Sequence, residues 1–321
     1  MKKFYIVVLI LLVSLTLNFL LLKNLNSKAE LEKIIGDPTQ SWLLLKQNNT
    51  SCFGRAVENS CIFNKGSSKK IVLIGDSHMG SLSSAFRPII DEGIELTVIT
   101  GCEFYYGLQK TWHNKREDCT DLILNNIFNF IKNKKNTLFI FHTRLTVHIN
   151  NTSIVPILEN KNSQEKYKLI KHDFYFKNNK SNSMDNPQII AESYVQLLKK
   201  LDTDNKFLII YPVPETIYGL RDKIKKEIRS SRNKVYLNTI TDQLFYPRTF
   251  FEIRYYKTKN ILDSISEKRI VKFDPTNIFC DKIKCYMWRK GKSLYFDHSH
   301  ISQEGADAIF KSIYSLIKKN L

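Results

Sequence analysis

The sequence predicts an α/β protein: a doubly wound parallel sheet of five strands with helices on both faces, preceded by an N-terminal transmembrane helix. Three observations predict it. Short apolar runs such as "IVLIG" at 71–75 alternate with longer segments whose apolar residues recur at helical spacing, the pattern of a parallel sheet covered on both faces. At 321 residues, 43% apolar and 12% aromatic, the chain has enough apolar surface for one large core or two modest ones, which excludes disorder as a global description. Residues 4–22 carry no charge and match the span of a hydrocarbon layer.

Residues 1–28, "MKKFYIVVLILLVSLTLNFLLLKNLNSK", are therefore expected to form a signal-anchor, with Lys2 and Lys3 kept in the cytoplasm and residues 30–321 outside the inner membrane. A cleaved secretory signal is the alternative, because Ser27 and Ala29 offer a small-x-small site, although its apolar region would usually be shorter. Residues 29–68 are polar and mixed and read as a tether with a first cysteine loop. The domain proper runs from 69 to 321. Its strands are expected at 69–75, 94–100, 137–142, 206–214 and 269–274, each a β-branched or aromatic run ended by Gly, Pro or a polar residue. Helices are expected at 81–90, at 121–132 with apolar residues at 122, 123, 127, 130 and 131, at 189–201, and from Ser302 to the end. The stretch 143–188 is polar and poorly periodic and is a candidate lid or acceptor-binding insertion. A further region, 215–268, reads as mostly helical.

The six cysteines fall into three local couples, Cys52 with Cys61, Cys102 with Cys119 and Cys280 with Cys285. Neighbour pairing, one of fifteen connectivities, predicts three short-loop disulfides and hence an oxidising compartment. Zinc is the competing use, but no C-x-x-C pair with matching histidine spacing occurs, so no metal is expected. The formal charge is +18, from 49 Lys and Arg against 31 Asp and Glu. The lysines are dispersed among asparagines without a basic stripe, so solvated surface or attraction to an anionic envelope glycan is expected, and no nucleic acid.

Ligands of such sheets bind beyond the carboxyl ends of the strands. Ser77 of "GDSH" stands there, just past the first strand. A serine hydroxyl needs a base to become a nucleophile. "LYFDHSHISQEGADAIF" at 294–310 supplies one: Asp297 and His300 share a short loop before a helix whose start suits Ser302 and Glu304. In a D-x-x-H loop the carboxylate can hold one ring nitrogen while the other meets a hydroxyl. His78 and His298 read as helix and loop surface, His142 as a core-edge histidine. Trp112, His113 and Trp288 read as rim packing or as surfaces for glycan stacking.

"GDSH" after a first strand and "DHSHIS" with the following Gly305 and Ala306 before a last helix resemble blocks one and five of the SGNH (GDSL-like) hydrolase superfamily. More narrowly they are similar to the periplasmic SGNH domain of polysaccharide O-acyltransferases, in which a cysteine pair precedes "GDSH", a cysteine follows the second strand and a short cysteine loop precedes the final D-x-x-H. The resemblance, over residues 50–319, implies a flavodoxin-like SGNH hydrolase fold with Ser77 as nucleophile, His300 as general base and acid, and Asp297 as the orienting carboxylate. It implies an oxyanion site at the amides of Ser77 and Gly101. The asparagine that many members carry after the third strand is missing from "FHTRLTVH", and Arg144 resembles the arginine found near this place in the narrower group. The implied activity is O-acyl transfer, with acetyl the expected group, to a cell-envelope glycan through an acyl-serine, without cofactor. A separate membrane acyl-donor protein is the expected partner, since fused relatives carry a many-helix membrane domain. Carbohydrate O-acetyl esterase and non-catalytic glycan-binding module are the alternatives.

Overall fold

The computed structural model describes residues 16–17, 45–112, 119–156, 167–171, 174–178, 188–217, 244–290 and 292–321. Apart from Thr16 and Leu17, the expected anchor lies outside the described residues, and among these no helix is long and apolar enough to cross a membrane.

The central sheet contains β1 (Cys61–Phe63), β2 (Lys70–Gly75), β3 (Glu95–Thr100), β4 (Thr137–His142), β5 (Lys206–Ile210) and β6 (Ile270–Phe273), in the spatial order β6-β5-β4-β2-β3-β1. β2 to β6 are parallel, and their order is that of the flavodoxin-like doubly wound sheets. Ile71, Leu73 and Ile74 of β2 and Phe139 and Ile140 of β4 are fully buried, because helices cover both faces and leave no wet side for alternation.

The expected five strands become six. Cys61–Phe63, within the segment expected to be tether, pairs antiparallel with β3 at the sheet edge. Three residues are too few to show a period, and what holds them is the Cys52–Cys61 disulfide behind them. Cys102–Cys119 and Cys280–Cys285 are also bonded. Replacing Cys52 and Cys61 together by serine is expected to cost about 2 to 3 kcal/mol in urea unfolding, as the nine-residue separation makes a short loop.

Among the described residues the α-helices of five residues or more are α1 (Ser77–Ser83), α2 (Arg87–Asp91), α3 (Asp121–Ile131), α4 (Leu145–Asn150), α5 (Gln188–Lys200), α6 (Arg248–Asp263) and α7 (Gln303–Asn320). Each begins for a legible reason where its cap is polar. Thr120 caps Ile123 N of α3, and Ser302 caps Gly305 N of α7 while its hydroxyl donates to Ser293 O at 2.5 Å. α7 turns Ile309, Ile313 and Ile317 inward and packs on α1, so the last helix of the chain buttresses the first. Within 143–188 the described parts are α4, a ladder of Thr152–Pro156 with Tyr167–Lys171, and Phe174–Asn178 paired with Leu108–Trp112. Of the region expected to be mostly helical, 218–243 lies outside the described residues and α6 is helical.

Candidate active site

The site is built where the winding reverses, between β2 and β4. β2 ends at Gly75, and only glycine fits there: a Cβ would lie 2.0 Å from the carbonyl oxygen of His142 on the neighbouring strand. Asp76 follows as the N-cap of α1, its Oδ1 accepting from His78 N at 2.8 Å. Its Oδ2 accepts from the backbone N of Arg144 at 2.8 Å. One carboxylate thus ties the β2–α1 turn to the β4–α4 turn. Ser77 sits at the first position of α1, where backbone amides have no intrahelical acceptor.

The loop before α7 brings the imidazole. Asp297 Oδ1 accepts from the backbone N of both Ser299 and His300 at 2.7 Å, which closes the D-x-x-H turn on itself. Asp297 Oδ2 lies 2.7 Å from His300 Nδ1, and His300 Nε2 lies 2.8 Å from Ser77 Oγ. Burial opposes the charge of Asp297, but the hydrogen bond from His300, the electrostatic attraction of that ring and the two amides outweigh it and hold the carboxyl below its usual range. An ionised Asp297 accepts the Nδ1 proton, which leaves Nε2 as the acceptor for the serine hydroxyl. Ser77, His300 and Asp297 are therefore hydrogen-bonded in series from residues 223 positions apart.

Of the three expected oxyanion residues, Gly101 is corrected. Its amide donates to Gly75 O at 3.0 Å, extending the parallel ladder by one bond, and so is not available to a ligand. Its glycine has a packing reason, with φ at +118° and Gly54 Cα 2.9 Å from where a Cβ would stand. Arg144 is at the site by both ends. Its backbone N is on Asp76, its Nε donates to Glu215 Oε1 at 2.5 Å, and its Nη2 is buried without an acceptor. Its guanidinium charge also reaches His78 and His298.

Several residues here have no motif to announce them. Glu215, at the carboxyl edge after β5, bridges Arg144 and Arg254; its position beyond a strand end was the available signal. His78 is buried rather than on the helix surface, with its ring centroid 5.0 Å from that of His300. Burial, then the charges of His300 and Arg144, hold it neutral. His142 is a core-edge histidine, its Nδ1 3.2 Å from Ile210 O. Trp288 is buried, which removes it as a stacking surface, and His113 lies outside the described residues.

Behind Asp76 is a buried polar group: Tyr105 hydroxyl contacts Thr143 Oγ1 at 3.0 Å and His148 Nδ1 at 3.1 Å, and His148 Nε2 lies 3.7 Å from Glu103 Oε1. Asp76, Glu103 and His148 each offer a ligand atom within 4.8 Å of the others. Both Asp76 oxygens already accept backbone N–H groups, so we read the cluster as a hydrogen-bonded brace and assign it no metal.

Burial and the negative charge of Glu103 push Asp76 up to about 6. Because this value is raised, the folded state binds a proton between the ordinary 3.8 and about 6, and this group's contribution to stability rises as pH falls through that window. The unfolding free energy of the wild type is expected to gain on that of Asp76→Asn between about pH 7 and pH 4.5, measured by denaturant titration at each pH. At neutral pH Asp76→Ala, which loses the cap and strands Arg144 N, is expected to cost about 2 to 4 kcal/mol.

A Ser–His–Asp series at the carboxyl edge of a doubly wound sheet is the arrangement of a serine acyl-transfer site. The chain belongs to the family of the SGNH domain (fused to AT3 domains), whose model matches residues 47–314; it is an enzyme of acyltransferase or esterase type. No match occurs among curated protein sequences. Among solved structures the chain is similar to the periplasmic domain of the lipopolysaccharide acetyltransferase of Salmonella ser. Paratyphi A, with TM-score 0.45, 13% identity, and coverage of 78% of this chain and 84% of that one. It is also similar to a putative platelet activating factor from Streptococcus pneumonia, with TM-score 0.35, 13% identity, and coverage of 94% and 99%.

Proposed function

We propose that this protein is a membrane-anchored, exported serine O-acyltransferase that moves an acyl group, acetyl in the first instance, onto a hydroxyl of a cell-envelope glycan. The observation that carries the proposal is the unbroken series Asp297 Oδ2, His300 Nδ1, His300 Nε2, Ser77 Oγ, at 2.7 and 2.8 Å. In the first half-reaction His300 Nε2 takes the Ser77 proton as Oγ attacks the donor's acyl carbonyl. The oxyanion meets the Ser77 amide, with the Arg144 guanidinium as the candidate second donor. Collapse expels the donor's leaving group, which receives the proton from His300. In the second half-reaction His300 deprotonates the acceptor hydroxyl, its oxygen takes the acyl group, and Ser77 Oγ recovers its proton. Asp297 stays ionised and stabilises the imidazolium in both halves.

Transfer is favoured over hydrolysis by the family itself, whose description has this domain fused to AT3 domains. A separate membrane protein would then deliver the acyl group. The three disulfides support an oxidising location outside the inner membrane, and the uncharged residues 4–22 support the anchor. The esterase alternative uses the same acyl-Ser77 with water as acceptor. The experiment is to incubate the full chain with p-nitrophenyl acetate, with and without envelope glycan. Acetylated glycan seen by mass, at the expense of free acetate, is the expected result. Nitrophenol release with acetate as the sole product would make it an esterase, and no acylation of Ser77 would overturn both readings.

A further inference from the structure

The segment that follows β5 reads "YPVPE" at 211–215 and is buried throughout. Pro212 and Pro214 fix φ and withhold two amides, so the chain leaves the sheet here with little choice of path. It runs against the loop that carries the imidazole. Tyr295 Oη donates to Pro214 O at 2.7 Å, and Thr216 N donates to His298 O at 2.8 Å. The backbone on either side of Glu215 is therefore bonded to the turn that holds Asp297 and His300.

The side chain of Glu215 reaches other elements, and its two oxygens are divided between two guanidinium groups. Oε1 accepts from Arg144 Nε at 2.5 Å, and Oε2 accepts from Arg254 Nη2 at 3.4 Å. Arg254, on α6, also donates to Thr152 Oγ1 at 3.0 Å and to Thr152 O at 2.8 Å, and its side chain is 12% exposed. Its guanidinium is taken up by the fold. Arg144 differs. Its backbone N is held by Asp76, the residue before the serine, and its side chain is 24% exposed against 5% for Glu215. One carboxylate set against two guanidinium groups leaves one positive charge in excess, and Arg144 is the most exposed of the three. A buried ion pair often contributes little net stability against an apolar replacement, so stability alone does not account for a carboxylate at this place.

We infer that Glu215 is a positioning residue: fixed by its backbone to the His300 loop, it holds the Arg144 guanidinium at the turn that carries Ser77, where the oxyanion forms. The contacts close a ring. From His298 they run through Thr216, Glu215, Arg144 and Asp76 to Ser77, and the hydrogen bond between Ser77 and His300 completes it. Base, nucleophile and guanidinium are thus held in one frame. The inference rests on the acyl-transfer reading, in which Arg144 is the second oxyanion donor.

The test uses the full chain in detergent, with p-nitrophenyl acetate as substrate and circular dichroism to check the fold of each variant. Glu215→Gln keeps the size and an acceptor for Arg144 Nε but loses the charge. Glu215→Asp keeps the charge, and so the neutralisation of the buried guanidinium groups, but withdraws the carboxylate by one methylene. Each is expected to lower kcat about 10- to 100-fold, the cost of misplacing a donor rather than removing it. KM should hold within about twofold, because a weakened oxyanion contact slows acylation and deacylation alike. In an Arg144→Ala background neither change should lower kcat by more than about a further twofold, since the group that Glu215 holds is gone. A carboxylate that served only the fold would cost the same in both backgrounds. Folded Glu215 variants with kcat within about threefold of the wild type, or equal losses with and without Arg144, would overturn the inference; if only one variant folds, that one decides. Labelling of wild-type Ser77 by an active-serine probe is measured separately. Its absence removes the acyl-transfer reading and this inference together, whereas a labelled wild type with indifferent Glu215 variants removes this inference alone.

Discussion

Ser77→Ala is expected to lower the rate of nitrophenyl acetate turnover and of glycan acetylation by about 10⁴- to 10⁶-fold, with the melting temperature changed little. The hydroxyl is the atom that becomes acylated, and its proton route through His300 Nε2 to the Nδ1–Asp297 contact is continuous. Removal leaves the oxyanion donors and the binding surface, which account for the residual rate. His300→Ala should cost nearly as much, and the double variant no more than the worse single one, because the residues act as one unit. Asp297→Asn should cost about 10⁴-fold: the amide would face its own donor or acceptor toward Nδ1 and release the tautomer that Ser77 needs. A Ser77→Ala enzyme that retains more than about a hundredth of the activity would remove Ser77 as nucleophile, since the remaining oxyanion contacts cannot supply that much of the barrier reduction. Steady-state rates with protein integrity checked by circular dichroism settle the point.

Gly75→Ala is expected to have the largest effect on stability, about 4 kcal/mol or more, and to abolish activity with it. The added Cβ would stand 2.0 Å from His142 O and 2.7 Å from Met79 Cβ. The first obstacle is backbone of a paired strand and the second the first turn of α1, so neither can swing aside as a flexible side chain would. Relief means separating β2 from β4 at the very point where Asp76 reaches Arg144 N. Urea unfolding and limited proteolysis measure the loss. The same argument with a smaller clash applies to Gly305, whose Cβ would meet Leu294 O at 2.4 Å. An alanine at 75 with wild-type unfolding would show that the switch point is slack and that the site is not held by close backbone approach.

Much of the candidate site was legible in the linear chain because its chemistry is local. The D-x-x-H turn hydrogen-bonds within four residues, and Asp76 caps the helix that starts one residue later. What was not legible is made by contacts between distant segments. The Asp76 to Arg144 bond spans 68 positions and the Arg144 to Glu215 bond 71, so neither leaves a spacing to read. The oxyanion expectation at Gly101 failed for the same reason: whether a backbone amide is free depends on the neighbouring strand, and here Gly75 O takes it. His78 likewise reads as surface because one turn of helix does not reveal that the rings of His142 and His300 stand against it.

By itself the sequence determined the five parallel strands, the helices between them, the cysteine couples, and the residue types at the two ends that resemble one family, because apolar runs, caps and short turns are written in neighbouring residues. The tertiary structure alone decided that β1 completes the edge, that Ser77 and His300 meet at 2.8 Å, and that Gly75 O takes the amide of Gly101. Those are distances between segments, and a chain acquires them when burial of its apolar faces fixes the order and register of the sheet.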